Sequence, residues 1–520
     1  MSTGTTTIEE DDAASRGGLS KARAIALTVT VTGAAFLNTM GVQIIVLVLP
    51  TVGRDYDIPD SRQQWIVAAY SLTFGCFLML WGRLADVFGR RLIFIIGSAW
   101  LTAASIATPF MPSEIAFDVF RGLQGLASFQ RQLQIRFGAA ANVPTAIGIL
   151  GSTFPPGQAK NFAFSCYGGG APMGAVFGNL LGGLVGQYAS WHWLFWITAI
   201  FAGAITVAGI ILIPKPPPNV QRPSVKDVDW IGGFLVTASL LALLAGLTEG
   251  NVVGWSTAYI PVLLVLFAVL MAAFILWQWF LEKKTSRKPL VKITIFKNGK
   301  FSAAMVIMCL FFSSFNNYII FATYFYQEYL GLSLIQTFLR FLPMGVVGLC
   351  VIFVMAQVIS RVRGIYILAF SNISVSISCL LLAVPIPPST IFWAYGFPAM
   401  ILAVWGADTL VPTLTLFVAQ SLPQEDQAMG GALINAAGQM GRAIGLAIAT
   451  AIETAVIASE ENVDIQEVGN SAPPQGSGQL LDGLHAAQWT NFAFAIAALV
   501  VVVAAFRGAG KVGHRSHTKK

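Results

Sequence analysis

The chain has 520 residues, 56% of them hydrophobic and only 11% charged, where soluble domains carry about 25% charged residues. A surface with so few charges cannot stay in water, which excludes soluble enzymes, secreted disulfide scaffolds and disordered proteins. The net charge of +7 is explained by loop asymmetry and gives no ground for nucleic-acid binding.

In chain order, residues 1–23 are polar, with Glu9, Glu10, Asp11 and Asp12 near Arg16, Lys21 and Arg23. They lack the charged-then-apolar pattern of a signal peptide, so no cleaved leader is expected. Apolar runs of about 20 residues, enough to cross about 30 Å of hydrocarbon, follow at 24–49, 64–84, 92–111, 115–150, 162–187, 191–214, 230–248, 257–281, 301–327, 333–356, 364–385, 391–418, 428–455 and 488–507. The fold class expected is an all-α polytopic membrane protein of fourteen transmembrane helices. Cys76, Cys166, Cys309, Cys350 and Cys379 all lie in apolar runs and read as buried thiols, neither bridges nor metal ligands. No cofactor or metal site is expected.

With the N-terminus inside, 24 of the 31 Lys and Arg residues fall in cytoplasmic segments, as the positive-inside rule requires. The densest is the loop 282–300, with Lys283, Lys284, Arg287, Lys288, Lys292, Lys297 and Lys300. The last outer loop, 456–487, carries five acids and no Lys or Arg. Both termini are therefore expected in the cytoplasm. Six spans precede the pair 230–248 and 257–281, and six follow it. The expected division is a polar tail over 1–23, a six-helix bundle over 24–214, a linker with two extra helices over 215–300, a second six-helix bundle over 301–507 and a basic tail over 508–520. Paired bundles are a common transporter plan with the substrate between them.

Between spans two and three stands Gly82-Arg83-Leu84-Ala85-Asp86-Val87-Phe88-Gly89-Arg90-Arg91. Physically it is a tight turn: Gly89 permits backbone angles other residues avoid, and Asp86 is able to cap a helix or pair with Arg90 or Arg91. The stretch resembles the signature loop of the major facilitator superfamily, where it helps latch the two halves. With fourteen spans, the chain resembles that superfamily's drug:proton antiporter branch. Phe36-Leu37-Asn38-Thr39-Met40, Gln64-Trp65-Ile66-Val67-Ala68-Ala69-Tyr70-Ser71-Leu72, Phe154-Pro155-Pro156-Gly157 and Leu339-Arg340-Phe341-Leu342-Pro343 resemble a fungal sub-branch. It includes aminotriazole- and boron-resistance exporters, low-affinity ammonium transporters and secondary-metabolite efflux pumps. The resemblance implies a major facilitator fold and alternating access. It also implies a monomer in the plasma membrane that exports a small organic molecule against inward protons.

The resemblance also marks site residues. Span one carries Asn38 where many members have an acid, so a proton carrier is expected elsewhere; Gln43 adds a second polar group on that helix. Span four carries Arg121-Gly122-Leu123-Gln124-Gly125, resembling the embedded arginine motif tied to proton coupling. A charge at this depth costs at least about 2.5 kcal/mol on insertion scales and should face a cavity or partner. Gln124 is taken as a cavity candidate. Eleven residues, Ala127 to Phe137, then interrupt the pattern with Gln130, Arg131, Gln132, Gln134 and Arg136. Without them span four has ordinary length, so the stretch reads as an unspliced intron or gene-model error. Span five places Gly170, Gly174 and Gly178 four residues apart, with Pro172 between. Such a face lets helices pack closely. It resembles the glycine-rich antiporter motif imperfectly, since the proline sits earlier and Ala175 follows Gly174.

In the second half, Asp408 and Arg442 lie near the middle of spans twelve and thirteen, and a salt bridge or gated pair is expected because a lone charge there is costly. Arg340 and Glu453 are read as an outer gate. Asn316, Asn317 and Tyr318, beside Phe311 and Phe315, give polar groups among aromatics, the usual lining of a small-molecule pocket; Tyr70, Trp405 and Gln439 are weaker candidates. For each of these, helix packing is the competing reading. No phosphate-binding loop of an ATP-driven pump, metal cluster or nucleophile constellation stands out, so no enzyme is expected. The two transport readings are a proton-driven exporter of an organic compound and a transporter of a small inorganic solute such as ammonium or borate.

Overall fold

The computed structural model describes residues 20–56, 58, 65–125, 142–155, 157–214, 228–285, 289–359, 361–385, 391–423, 426–461 and 474–507. The α-helices in chain order are α1 (Lys21–Gln43), α2 (Leu49–Asp55), α3 (Trp65–Phe88), α4 (Arg90–Ala107), α5 (Glu114–Gly125), α6 (Asn142–Thr153), α7 (Gln158–Tyr188) and α8 (His192–Leu212). They continue with α9 (Trp230–Val253), α10 (Tyr259–Lys284), α11 (Gly299–Tyr324), α12 (Leu334–Val358), α13 (Gly364–Ala383), α14 (Phe392–Ser421), α15 (Gln427–Glu461) and α16 (Gly478–Phe506). Among the described residues, eleven helices are long and apolar enough to cross a membrane, which makes this a multi-pass membrane protein. The other three expected positions are also helical: α3, the pair α5 and α6, and α7, whose glycines lower its hydropathy. The expectation for Ala127–Phe137 lies outside the described residues; α5 ends at Gly125 and α6 begins at Asn142.

Helix starts follow local chemistry. Ser20 accepts from the Arg23 amide at 3.3 Å, Asp229 from Gly232 at 2.8 Å, and Ser333 and Gln336 form a reciprocal capping box, each satisfying amides that a first turn leaves open. Two apolar clusters fill the interior. One is drawn mostly from residues 27–228, with Val351, Met355, Ile359, Ile367, Leu416 and Ala419 added from α12 to α14 and the turn after α12. The other runs from Val236 to Phe506, with Cys76 added from α3. Across the seam, α3 and α6 pack on α15, and α7 packs on α12 and α14.

The glycine face of α7 lies on α1. A Cβ at Gly170 would stand 2.8 Å from the Thr32 carbonyl oxygen, one at Gly174 would collide with that of Phe36, and one at Gly178 would meet the Met40 carbonyl oxygen at 3.0 Å. Pro172 sits inside the same helix. The expected close packing is therefore present, and α1 is its partner. Helix α9 packs on α3 and α15, while α10 packs on α9 and the 3-10 turn Ile293–Lys297. The rest of α10 is exposed apolar surface, including Val262, Val265, Leu266 and Val269.

Candidate functional site

Arg121 is 1% exposed on α5. Its Nε donates to the Ile66 carbonyl at 2.9 Å, Nη1 and Nη2 to the Gly41 carbonyl at 3.2 Å, and Nη1 also to Gln124 Oε1 at 2.8 Å. Gln124 in turn donates from Nε2 to Thr108 Oγ1 at 3.0 Å and Ser105 Oγ at 3.3 Å. The guanidinium lies 5.3 Å from the Tyr70 ring and 5.7 Å from that of Phe195, within cation–π range. Tyr70 donates its hydroxyl to Asn38 Oδ1 at 2.9 Å. One network thus joins α1, α3, α4 and α5 through Asn38, Tyr70, Arg121 and Gln124. Gln124 is a correction: at 2% exposure, with its amide committed on both sides, it orients Arg121 and lines no cavity.

The second half holds a different arrangement. Asp408 on α14 is 3% exposed, and its Oδ2 has no hydrogen-bond partner. It faces Gly348 on α12, where a Cβ would stand 2.9 Å from that oxygen; the missing side chain is what makes room for the carboxylate. Arg442 on α15 lies over the Phe312 ring of α11 at 4.5 Å. Among the described residues no ion pair joins Asp408 to Arg442, which corrects the expected salt bridge. The reason is rotational: Asp408 turns toward α12, while Arg442 turns toward α11, against which α15 is closely packed. The outer pair is corrected likewise. Arg340 sits over Phe392 at 4.3 Å, and no ion pair joins it to Glu453 among the described residues.

The pocket candidates divide. Asn317 and Tyr318 are fully buried. Asn317 donates to the Ser313 carbonyl at 2.7 Å and packs against Gly445; the Tyr318 hydroxyl points at Met400 Sδ, 3.7 Å away. Both are packed among helices, so neither lines a pocket. The buried side of this polar–aromatic stretch faces α14 and α15. Asn316 and Trp405 are half-buried, with Trp405 edge-on to Phe370. Gln43, also half-buried, rests against Gly178, and Gln439 meets Gly75 across the seam.

In the loop at 82–91, the described contacts of Arg90 and Arg91 stay within the first half. Gly89 has φ 98°, which a side chain rarely adopts. Arg90 Nη1 donates to the Gly148 carbonyl at 2.8 Å and Arg91 Nη2 to the Ile210 carbonyl at 2.7 Å, so both tie helices of the first half together. Gly82 is buried on α3; the Asp86 side chain lies outside the described residues. The contact across the seam comes from Arg83, 3.9 Å from Asp426, and Asp426 also receives Lys292 Nζ at 2.6 Å. Sequence reasoning left out Asp426 and took Lys292 only as one of the cations of the loop 282–300. The available signal was an acid just before span thirteen, on the face of the membrane that is otherwise basic.

Among the described residues the chain is a helical, multi-pass bundle with a buried polar network in one half and a buried carboxylate oxygen without a hydrogen-bond partner in the other. The chain belongs to the Major Facilitator Superfamily, whose profile matches residues 31–446, and it is a transporter rather than an enzyme. The fold is similar to that of the human organic anion transporter MFSD10, with a TM-score of 0.62 and 15% identity over 92% of this chain and 99% of that one. The low affinity ammonium transporter of Saccharomyces cerevisiae is 29% identical, covering 78% of this chain and 77% of that protein. The efflux pump terJ of Aspergillus terreus is 26% identical, covering 83% and 81%.

Proposed function

We propose that this chain is a proton-coupled exporter of a small organic compound, working by alternating access. The observation that carries the reading is Asp408, a buried carboxylate oxygen without a donor and, among the described residues, without a cation. An ionised carboxylate in that setting is costly, so opening and closing of the site around Asp408 couples to taking up and releasing a proton. Asn38 cannot titrate and is engaged by Tyr70, which moves the proton site out of α1. Arg121 and its network hold the first half rigid around that movement. Asn316, Trp405 and Gln43, only half-buried, are the remaining substrate contacts.

In this reading the bundles 24–214 and 301–507 rock about the seam, the linker 215–300 rides on α3 and α15, and both termini lie in the cytoplasm of a plasma-membrane monomer. The similarity to fungal efflux pumps supports an organic substrate and outward direction. The test is untargeted mass spectrometry of cells and medium with and without the gene, repeated after collapse of the proton gradient. A compound that accumulates in the deletion strain, and leaves wild-type cells only with the gradient, is the expected result. The similarity to an ammonium transporter favours a second reading, transport of a small inorganic solute. An unchanged set of organic compounds, with altered ammonium flux, would replace the first reading with the second.

A further inference from the structure

We infer that the two extra helices form a binding site for an anionic glycerophospholipid in the leaflet at their basic end. Between α9 and α10 lies a groove of about 450 Å³ walled by Leu235, Ala273, Leu276, Trp277 and Phe280. On α10 the positions 273, 276, 277 and 280 repeat at three and four residues, so they share one face, and the same stripe continues to Lys283 and Lys284 in the last turn. From Leu276 to Lys284 the helix axis advances about 12 Å, close to the roughly 15 Å depth of one leaflet. Toward the C-terminal end of the helix, the groove wall at Phe280 is followed within about one turn by two exposed lysines, at the depth where a leaflet's headgroups would lie. Lys283 Nζ lies 5.1 Å from the Trp279 ring, and Lys297 adds a third exposed cation nearby in sequence.

The positive-inside rule accounts for lysines at this end of the hairpin; it does not account for an apolar groove on the same helix face one turn before them. Charge and shape together select the occupant. The only acid over residues 278–300 is Glu282, and it is occupied by Thr294, whose amide donates to Glu282 Oε2 at 3.3 Å and whose hydroxyl bonds Oε1. The lysines are exposed and form no closed cage for a small anion, so retention depends on acyl chains in the groove and the headgroup's charge outside it.

The groove wall is also wired to the seam. The Trp277 indole donates to Asp229 Oδ1 at 2.9 Å, and Gln278 Nε2 to Asp229 Oδ2 at 2.6 Å. Gln278 Oε1 accepts from the Val291 amide at 3.2 Å, and the next residue is Lys292, the partner of Asp426. Lipid in the groove braces Trp277 and, through this chain, the Lys292–Asp426 contact. That consequence rests on the transport reading; the binding site does not.

The test uses the purified full-length protein in nanodiscs of phosphatidylcholine and phosphatidylserine with matched chains, with retained lipid read by native mass spectrometry. Wild type should retain phosphatidylserine preferentially. Lys283→Gln with Lys284→Gln should lose that preference by roughly 25-fold, taking about fivefold for each lysine near an anionic surface. Lys283→Arg with Lys284→Arg should keep it, and Ala273→Phe, which fills the groove and spares the lysines, should lose retained lipid altogether. Melting temperature and size-exclusion profile check that each variant is folded. Equal retention of both lipids by wild type, or undiminished phosphatidylserine on the Gln pair or on Ala273→Phe, overturns the proposal.

Discussion

Arg121 commits its guanidinium to the carbonyls of Gly41 and Ile66 and to Gln124, so a cation in the membrane interior is held by dipoles and ring faces, with Asp118 on the same helix as an electrostatic neighbour. Arg121→Ala would leave those acceptors without a donor, a cost of about 2 kcal/mol or more. The expected outcome is a lowered melting temperature in detergent together with loss of gradient-driven flux; unchanged flux removes Arg121 from the mechanism. Asp408 is the opposite case, a carboxylate given space by Gly348 rather than a partner. Asp408→Asn keeps the shape and removes the titration. Proteoliposomes carrying it should lose transport driven by a proton gradient yet retain substrate counterflow, and wild-type gradient dependence would end the role assigned to this residue. Both charges were legible in the sequence because a charge in an apolar span stands out. Their partners were not: the pairing of Asp408 with Arg442 assumed only that adjacent spans face each other, whereas side-chain direction depends on helix rotation, which hydropathy does not encode.

Helix α7 shows what spacing alone can carry. Three glycines four residues apart announced a close contact, and the structure supplies α1, with the Phe36 carbonyl filling the space where a Gly174 side chain would stand. Gly174→Leu should overpack that contact by about 1–3 kcal/mol, seen as loss of monodisperse protein on size exclusion, while the same change at Gly299, where a Cβ would meet nothing within 4 Å, should be tolerated. The loop between α3 and α4 is a second lesson at this scale. Its glycine was identified from the sequence, and Gly89→Val should cost about 1–3 kcal/mol through its positive φ, measured by melting. Its arginines were expected to latch the halves, yet Arg90 and Arg91 bond carbonyls of α6 and α8 within one half. Helix positions were the most legible feature, since length and apolarity are local properties, and among the described residues eleven of the expected spans are long and apolar enough to cross a membrane. The α11 face was the least, because Asn317 and Tyr318 look alike in sequence whether they meet substrate or a neighbouring helix.

Across the whole molecule, the described ion pairs that bridge distant segments converge on Asp426, shared between Arg83 of the first half and Lys292 of the linker. Asp426 is 7% exposed, so its charge is screened less than a surface acid would be. Asp426→Asn should loosen that end of the seam, read as faster thiol labelling of cysteines placed on facing positions of α3 and α15. Arg83→Gln and Lys292→Gln should combine non-additively in the same assay, because they share one partner; simple additivity would mean that the two contacts act independently. This shared acid has a consequence for any attempt at minimisation. Excising 215–300 would delete the nearer of its two described cations together with the Asp229–Gln278 brace, leaving the buried Asp426 with a more distant arginine. The appended pair of helices is therefore no detachable ornament, and a shortened chain would need a new cation grafted ahead of α11 before it could close at that end.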